Sequence, residues 1–502
     1  MKCVEKIIEI LISRQQLLDS KKLNSEIKTK NIENLTFDSR QVGENSLFFC
    51  KGDNFKLEYL KQAKNNGAII YISEKAYPID LPCIIVKSVR TTMPLVADYF
   101  YESPYKKLKL IGITGSKGKS STVYYLKSIL DDFLLSQNKK PSGLISGIEV
   151  FDGINNTEAK LTTPEALDVY RYLANAVKSG LEYFVIEVSS QALKYERLSG
   201  IEFDVVALLN IGHDHIGPLE HPTYEDYIKS KLSIFNYGRF GFYSDDLEFA
   251  NQIDAYIEKL PIETKIYSTK NHAADYFAEK IKFENNKYSF QVDNQKYYVK
   301  GVGIYNVENA LCAIAIVNHL KIPTRSIHDG LSQALVPGRE QFFMTSDKKI
   351  ISFISYAHNK ISFEKSFQTI KTNFPDYQII ALFGASGNRG LNRIKDLPEV
   401  AGAHADFIYL IPDDPANREP QSLSEEMASF LPDNSCSYKI INSREEAITE
   451  AFFEAKKSVK NTGKKYFLFI AGKGDEEFQL INGKSIPIRS DIEIAKELIN
   501  SY

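Results

Sequence analysis

The chain has no tryptophan and only four methionines in 502 residues, so its 30 phenylalanines and 29 tyrosines must supply the large core side chains. Cysteine is sparse as well. The five, Cys3, Cys50, Cys83, Cys312 and Cys436, are scattered, odd in number and never spaced as CxxC. That argues against a disulfide framework or a zinc site and favours a reducing compartment. No stretch approaches the roughly 18 apolar residues of a membrane span. The opening, Met1 to Leu18, is apolar but broken by Glu5, Lys6, Glu9 and Arg14, which reads as an amphipathic helix and not as a signal peptide. A large charge of either sign is also missing. With a net charge of −2, nothing in the bulk electrostatics points to nucleic acid or an anionic membrane. The expectation is a cytoplasmic protein with no nucleic-acid partner and no membrane span.

The length exceeds what one core can serve. Three zones can be separated. The first, residues 1–102, holds short apolar strands such as Ala68–Ser73 and Cys83–Lys87. The second, 103–336, opens with the strand Leu108–Ile113, a glycine-rich turn and a helix from about Ser120. Buried-type strands follow at Tyr183–Val188 and Val205–Asn210. Strands alternating with helical patterns predict a parallel α/β sheet. Within this zone, residues 280–300 alternate at short period around Asn285-Asn286 and Asp293-Asn294, which predicts a small antiparallel appendage with hairpin turns. The third zone, 337–502, repeats the α/β pattern with strands at Ile379–Phe383, Phe407–Ile411 and Tyr466–Ala471. Each runs into a loop, GASGNRG, PDDPAN or AGKGDEE, and ligands of such sheets bind at the carboxyl ends of the strands.

The strongest local signal is Gly112–Thr122, GITGSKGKSST. Gly115 and Gly118 permit a tight turn whose N–H groups can face phosphate oxygens, and the following helix adds partial positive charge. Lys119 would reach the β- and γ-phosphates and Ser120 could ligate Mg²⁺. The strict GxxxxGK[ST] pattern is missed, because Ile113 stands where its first glycine belongs. The bland alternative is a glycine turn before a helix with an incidental lysine. A preceding strand and a following helix favour the phosphate loop.

The form TGSKGKSS resembles the TGxxGKT/S variant of Mur ligases and folylpolyglutamate synthases. Further motifs follow in that family's order over nearly the whole chain: TTPE at Thr162–Glu165, EVSSQAL at Glu187–Leu193, NIGHDH at Asn210–His215, YNVENA at Tyr305–Ala310, PGRE at Pro337–Glu340, YAH at Tyr356–His358 and GKG at Gly472–Gly474. The first zone carries DSR at Asp38–Arg40 and FCKG at Phe49–Gly52, which resemble the uridine-binding domain of the MurE branch. Folylpolyglutamate synthases lack that domain.

The resemblance implies three α/β domains: a uridine-nucleotide-binding domain at 1–102, a P-loop-type ATP-binding domain at 103–336 and a Rossmann-like amino-acid-binding domain at 337–502. It implies a monomer that takes ATP, Mg²⁺, UDP-MurNAc-L-Ala-D-Glu and an amino acid. ATP would be held by Thr114, Gly115, Ser116, Lys117, Gly118, Lys119, Ser120, Ser121, Asn306, Asn309 and Arg339. Catalytic roles fall to Lys119, Glu187, His215 and Lys231, and the metal ligands would be Ser120, Glu187 and His215. A strand-end carboxylate such as Glu187 suits magnesium. Lys231 matches a lysine carbamylated by CO₂ (N6-carboxylysine), with Lys229 the competing position. Asn306 and Asn309 could read adenine, or simply cap a helix. Ser39, Thr162, Thr163, Ser189 and Arg197 match contacts to the muramyl peptide.

The added amino acid is implied by Asp413-Asp414-Pro415-Ala416. Diaminopimelate enzymes of the branch carry DNPR there, and lysine enzymes carry alanine in the last slot. Ala416, with the extra carboxylate Asp414, implies L-lysine. Arg418 is the rival cation that could restore diaminopimelate binding. Arg389, Gly472 and Glu476 match the remaining amino-acid contacts. Two departures stand out: Ser355 precedes YAH where the family has aspartate, and Asp475 stands in GKGDE where the family has histidine. They keep a catalytically degenerate relative open as an alternative. The implied reaction phosphorylates the D-glutamate γ-carboxylate and lets the free amine displace phosphate, in peptidoglycan precursor synthesis for the cell wall. Domain closure about Pro337-Gly338 would accompany it.

Overall fold

The computed structural model describes residues 2–20, 23–52, 54–212, 217, 220–245, 250–284, 286–337, 341–433 and 435–502. They form two compact units, Met1–Phe277 with Asn309–Gln333, and Ala278–Glu308 with Ala334–Tyr502.

The first unit contains two sheets. One has five strands in the order Leu17–Asp19, Cys83–Val86, Ala68–Ser73, Ser46–Phe49 and Asn34–Thr36. All pairs are parallel except the outer Leu17–Asp19. The N-terminal amphipathic helix exists but spans only Val4–Ser13, burying Val4, Ile7, Ile8 and Leu11. It stops there because Gln15 takes a positive φ of 54°, which turns the chain so that Leu17 can pair with Val86. The apolar residues 17 and 18 therefore belong to a strand.

The second sheet has nine strands, running from Tyr276–Phe277 through Glu263–Ser268, Gly238–Ser244, Phe203–Leu208, Lys109–Thr114, Tyr183–Glu187 and Gly143–Ile145 to Glu149–Phe151 and Asn156–Glu158. It is parallel up to Gly143–Ile145, and the last two strands are antiparallel. The central strands are apolar on both faces, as a sheet covered by helices requires. Register brings Glu187 opposite Ile113 and Leu208 opposite Thr114, so three strands end together just before the glycine-rich turn.

In the second unit, six strands run in the order Gln341–Met344, Ile350–Ser355, Lys465–Ala471, Tyr377–Phe383, Phe407–Leu410 and Tyr438–Ile440, parallel apart from the first. The expected antiparallel appendage is a three-stranded sheet, Glu279–Glu284, Lys287–Val292 and Gln295–Lys300. Asp293 and Asn294 both take positive φ, 49° and 63°, as a tight hairpin turn demands. This sheet groups with the C-terminal residues and not with the second zone of the sequence. The Phe283 ring meets Phe374 edge-on, and Asn373 donates to Val302 O at 2.7 Å.

The helix Lys119–Ser136 behind the glycine-rich turn is held by the helix Thr324–Gln333, where Ser128 Oγ donates to Gly330 O at 2.7 Å. A Cβ at Gly330 would lie 2.5 Å from Ile129 Cα, and backbone cannot rotate away. Gly330→Ala should therefore lower stability by about 1–3 kcal/mol despite alanine's better helix propensity; an unchanged urea midpoint would show that the helices separate at no cost.

Candidate active site

The turn at Gly115–Gly118 is anchored to the next strand end. Asn210 accepts from Ser116 N–H through its carbonyl at 2.9 Å and from Lys117 N–H through Oδ1 at 2.8 Å. Its amide also donates to Lys117 O at 3.0 Å. Gly118 has φ 83°, and a Cβ there would fall 2.2 Å from Asn309 Oδ1, so glycine is needed twice over. Lys119 Nζ folds over the turn, donating to Gly115 O at 3.0 Å and standing 3.9 Å from Glu187 Oε1. Ser120 Oγ donates to Glu187 Oε2 at 3.0 Å, and Gly147 N–H donates to the same oxygen at 2.9 Å. Thr114 is fully buried with a hydroxyl that has no hydrogen-bond partner among the described residues, and Ser121 is half-buried on the helix.

Lys231 is buried on the helix Tyr224–Leu232. Its Nζ donates to Gly115 O at 2.8 Å and lies 4.7 Å from the centre of the Tyr227 ring. Tyr227 and Ser116 share a hydrogen bond of 2.7 Å. His221 is fully buried between Asp226 Oδ2 at 2.7 Å and Ser190 Oγ at 3.0 Å. It ties the helix that carries Lys231 to the short helix Ser190–Lys194. His215 and Arg339 lie outside the described residues.

Glu187 organises the neighbouring loops as well. Thr163 Oγ1 donates to its carbonyl at 2.7 Å and accepts Ser189 N–H at 2.9 Å. Ser189 caps its helix by accepting Ala192 N–H at 3.2 Å. Thr162 Oγ1 stands 3.5 Å from where a Cβ of Gly147 would be. Arg197 is buried, donates to Thr163 O at 2.9 Å and pairs with Glu165 at 2.9 Å. Thr163, Ser189 and Arg197 thus come together beside Glu187. Ser39 does not present its hydroxyl to a cavity: it is buried and donates to Gln62 Oε1 at 2.8 Å. A cavity of about 300 Å³ opens next to it, with Phe37 and Gln41 on one wall and Leu167, Asp168 and Arg171 on the other.

In the second unit, the loop after Phe383 lies against the loop after Leu410. A Cβ at Gly387 would fall 2.1 Å from Pro415 O, and Gly387 N–H donates to Asp414 O at 2.9 Å. Asp414 Oδ1 accepts from Lys473 Nζ and from Leu480 N–H, both at 2.9 Å. Lys473 is buried and also pairs with Glu476. Ala416 is buried with φ 55°, bridging to Leu480 and Asn482 of the adjoining hairpin. Asp475 accepts the Tyr356 hydroxyl, and Arg389 is exposed. Gly472, at φ 113°, lies close to Asp413: a Cβ there would fall 3.2 Å from its Oδ2. Sequence reading missed Arg444, whose buried guanidinium pairs with Asp491 and donates to Pro412 O at 3.0 Å and Ala471 O at 3.1 Å. No motif marks it. Lys473, by contrast, stood inside the GKG motif.

Residues 113–317 match the Mur ligase middle domain and residues 338–472 match the Mur ligase glutamate ligase domain. The chain belongs to the Mur ligase family. It is 34% identical over 474 residues to a Streptococcus thermophilus (strain ATCC BAA-491 / LMD-9) protein named UDP-N-acetylmuramoyl-L-alanyl-D-glutamate--L-lysine ligase, covering 93% of each chain. A protein of the same name from Streptococcus agalactiae serotype V is 34% identical over 505 residues, 99% of each. Among solved structures, a UDP-N-acetylmuramoyl-L-alanyl-D-glutamate--2,6-diaminopimelate ligase superposes with a TM-score of 0.65 at 20% identity, over 97% of this chain and 99% of that one. The MurF ligase of Thermotoga maritima in complex with ADP gives 0.61 at 17% identity, over 93% and 97%. These structures share the fold.

Burial raises the Asp413 carboxyl to about 6, with Arg444 and Lys473 pulling it down and Asp414 and Glu476 pushing it up. The folded carboxyl thus keeps its proton to about pH 6, whereas an unfolded one releases it near pH 4. Between the two the folded state binds more proton, so stability falls as pH rises through that window. Asp413→Asn removes the dependence. The stability of wild type minus variant, from urea melts, should drop by at most about 2–3 kcal/mol between pH 4 and pH 7; a difference that does not vary with pH would show Asp413 to be solvated.

Proposed function

We propose that the protein joins L-lysine to the γ-carboxylate of D-glutamate in UDP-MurNAc-L-Ala-D-Glu, using ATP through an acyl phosphate, as a cytoplasmic monomer in peptidoglycan precursor synthesis. One observation supports this most: Lys119, Ser120 and Glu187 meet at the mouth of a parallel sheet behind a tight glycine turn. Lysine-adding relatives of nearly the same length add to it. In this reading residues 1–102 take the uridine end, 103–336 take ATP and the peptide, and 337–502 take lysine.

Turn amides and Lys119 align and neutralise the phosphates, which is most of what phosphoryl transfer asks of a protein. Asn306, Asn309 and Arg339 complete the nucleotide contacts. An all-oxygen donor pair from Ser120 and Glu187 fits Mg²⁺, which takes few protein ligands and fills its shell with water and substrate phosphate. With His215 they would hold it, and when bound it would offset phosphate charge. Lys231, buried beside Gly115 O, is the proposed carbamate: its neutral amine adds to CO₂ and releases a proton, leaving an anionic oxygen donor. Thr162, Thr163, Ser189 and Arg197 orient the muramyl peptide. The cavity beside Phe37 suits the uracil, with Ser39 in the short turn between the lining residues Phe37 and Gln41.

The lysine side chain is favoured over diaminopimelate by charge. Asp413, Asp414 and Glu476 surround Lys473, and Arg418, the rival cation, pairs with Glu426 on the helix Pro420–Ala428. Arg389 serves the amino acid's own carboxylate, and Gly472 and Ala416 keep the floor small.

ADP release with UDP-MurNAc-L-Ala-D-Glu tests this. L-lysine should stimulate turnover far above meso-diaminopimelate, L-ornithine or no amine, and no stimulation by any amine would leave a degenerate binding protein. Lys119→Ala should cut kcat/KM by about 10³-fold or more; retained turnover would place the triphosphate elsewhere.

A further inference from the structure

Glu165 opens the helix Ala166–Ser179, yet its side chain makes no capping bond there. It is aimed at two buried cations. Lys51 Nζ, from the FCKG segment of the first sheet, lies 2.7 Å from Glu165 Oε1, and Arg197 Nη2 lies 2.9 Å from the same oxygen. The three side chains keep only 16%, 11% and 9% of their surface exposed, in the order Lys51, Glu165, Arg197. A third cation stands close: the Arg90 guanidinium packs 4.3 Å over the Tyr195 ring, whose centre is 6.0 Å from the Arg197 guanidinium.

One carboxylate makes both of the ion pairs, and the acid beside Arg90, Glu74, is turned to the backbone, accepting Val89 N–H at 2.9 Å. Burial holds Lys51 below the usual lysine range, with Arg90 and Arg197 adding to the effect against the pull of Glu165. Burial lowers Arg197 too, and Arg90 again adds to it. Among the described residues the nearest acid along the chain, Glu196, is exposed and takes the Thr91 hydroxyl at 3.2 Å. Arg197 Nε is buried and has no hydrogen-bond partner among the described residues. Two largely buried cations sharing one carboxylate oxygen, with an orphaned donor beside them, are costly for a structure that serves only itself. They suit a site completed by an arriving anion.

We propose that Lys51 and Arg90 join Arg197 in an oxyanion-binding site that receives a phosphate or carboxylate group of the UDP-linked substrate, with Glu165 holding the cations in position until that group arrives. Lys51 also stands 4.6 Å over the Phe37 ring, a wall of the 300 Å³ cavity, so the site adjoins the place proposed for uracil. The identity of the ligand rests on the ligase reading; the existence of the site does not.

Isothermal titration of the full chain with UDP and with UDP-MurNAc-L-Ala-D-Glu, in the absence of ATP and lysine, reads it directly. Lys51→Met and Arg90→Met should each weaken binding about 10–100-fold, the loss of one charge-assisted contact. Lys51→Arg should recover most of it, and KM for ATP should not move. Equal losses for both ligands identify the diphosphate as the anion, and a loss confined to the dipeptide identifies its carboxylate. Unchanged Kd for both ligands in Lys51→Met, even with a lowered Tm, would overturn the proposal and leave Lys51–Glu165 as a structural tie. A wild type that binds UDP through Lys51 but releases no ADP with any amine would instead defeat the ligase reading and leave this site standing.

Discussion

A single buried carboxylate orders the first unit's candidate site. Glu187 ends a central strand, 3% exposed, where an unpaired charge would cost several kcal/mol. Its Oε2 accepts from both the Ser120 hydroxyl and the Gly147 N–H, and its carbonyl oxygen accepts from Thr163. Because register places it opposite Ile113, satisfying those oxygens fixes the phosphate turn, the 147 loop and the TTPE segment in one operation. Fixed donors of this kind need no reorganisation when charge moves, which is why such preorganisation accounts for much of an enzyme's rate.

The second unit solves the same problem with a buried ion pair. Arg444 and Asp491 satisfy one another, and the remaining guanidinium donors reach Pro412 O and Ala471 O, the ends of two strands. Gln479 adds bonds to Pro412 O and Asp413 O. The loops that carry Asp413, Asp414 and Glu476 are therefore built on a frame of Arg444, Asp491 and Gln479. Removing either partner would strand a charge in the core, so the pair is a constraint on the site and not a decoration of it.

The strands were legible because burial on both faces demands continuous apolar runs, as in Ala68–Ser73 and Lys465–Ala471. The phosphate turn was legible because its glycines are forced by positive φ and close approach. Short strands such as Leu17–Asp19, Glu149–Phe151 and Asn156–Glu158 escaped, since three residues carry no period. The grouping of residues 278–308 with the C-terminal unit escaped because it depends on Phe283, Tyr288 and Asn373 meeting across the fold. Charge networks were the least visible. Lys51 and Glu165, or Arg444 and Asp491, have nothing in their local sequence to announce a partner. Local motifs singled out the candidate residues, and tertiary structure was needed to show what holds them.

The near-zero net charge conceals a sorting by sign. In the first unit Lys119, Lys231, Arg197, Lys51 and Arg90 gather about Glu187 and Glu165, an excess of positive charge suited to phosphates and carboxylates. In the second, Asp413, Asp414, Asp475 and Glu476 gather near Lys473, an excess of negative charge suited to an ammonium. Asp475, a departure from the family pattern, deepens that field while its contact with Tyr356 keeps it in place. A protein that must bring two polyanions to an ammonium-bearing nucleophile gains nothing from a global field, which would repel one partner or the other. Opposite local fields, each anchored by residues buried during folding, suit groups of opposite charge.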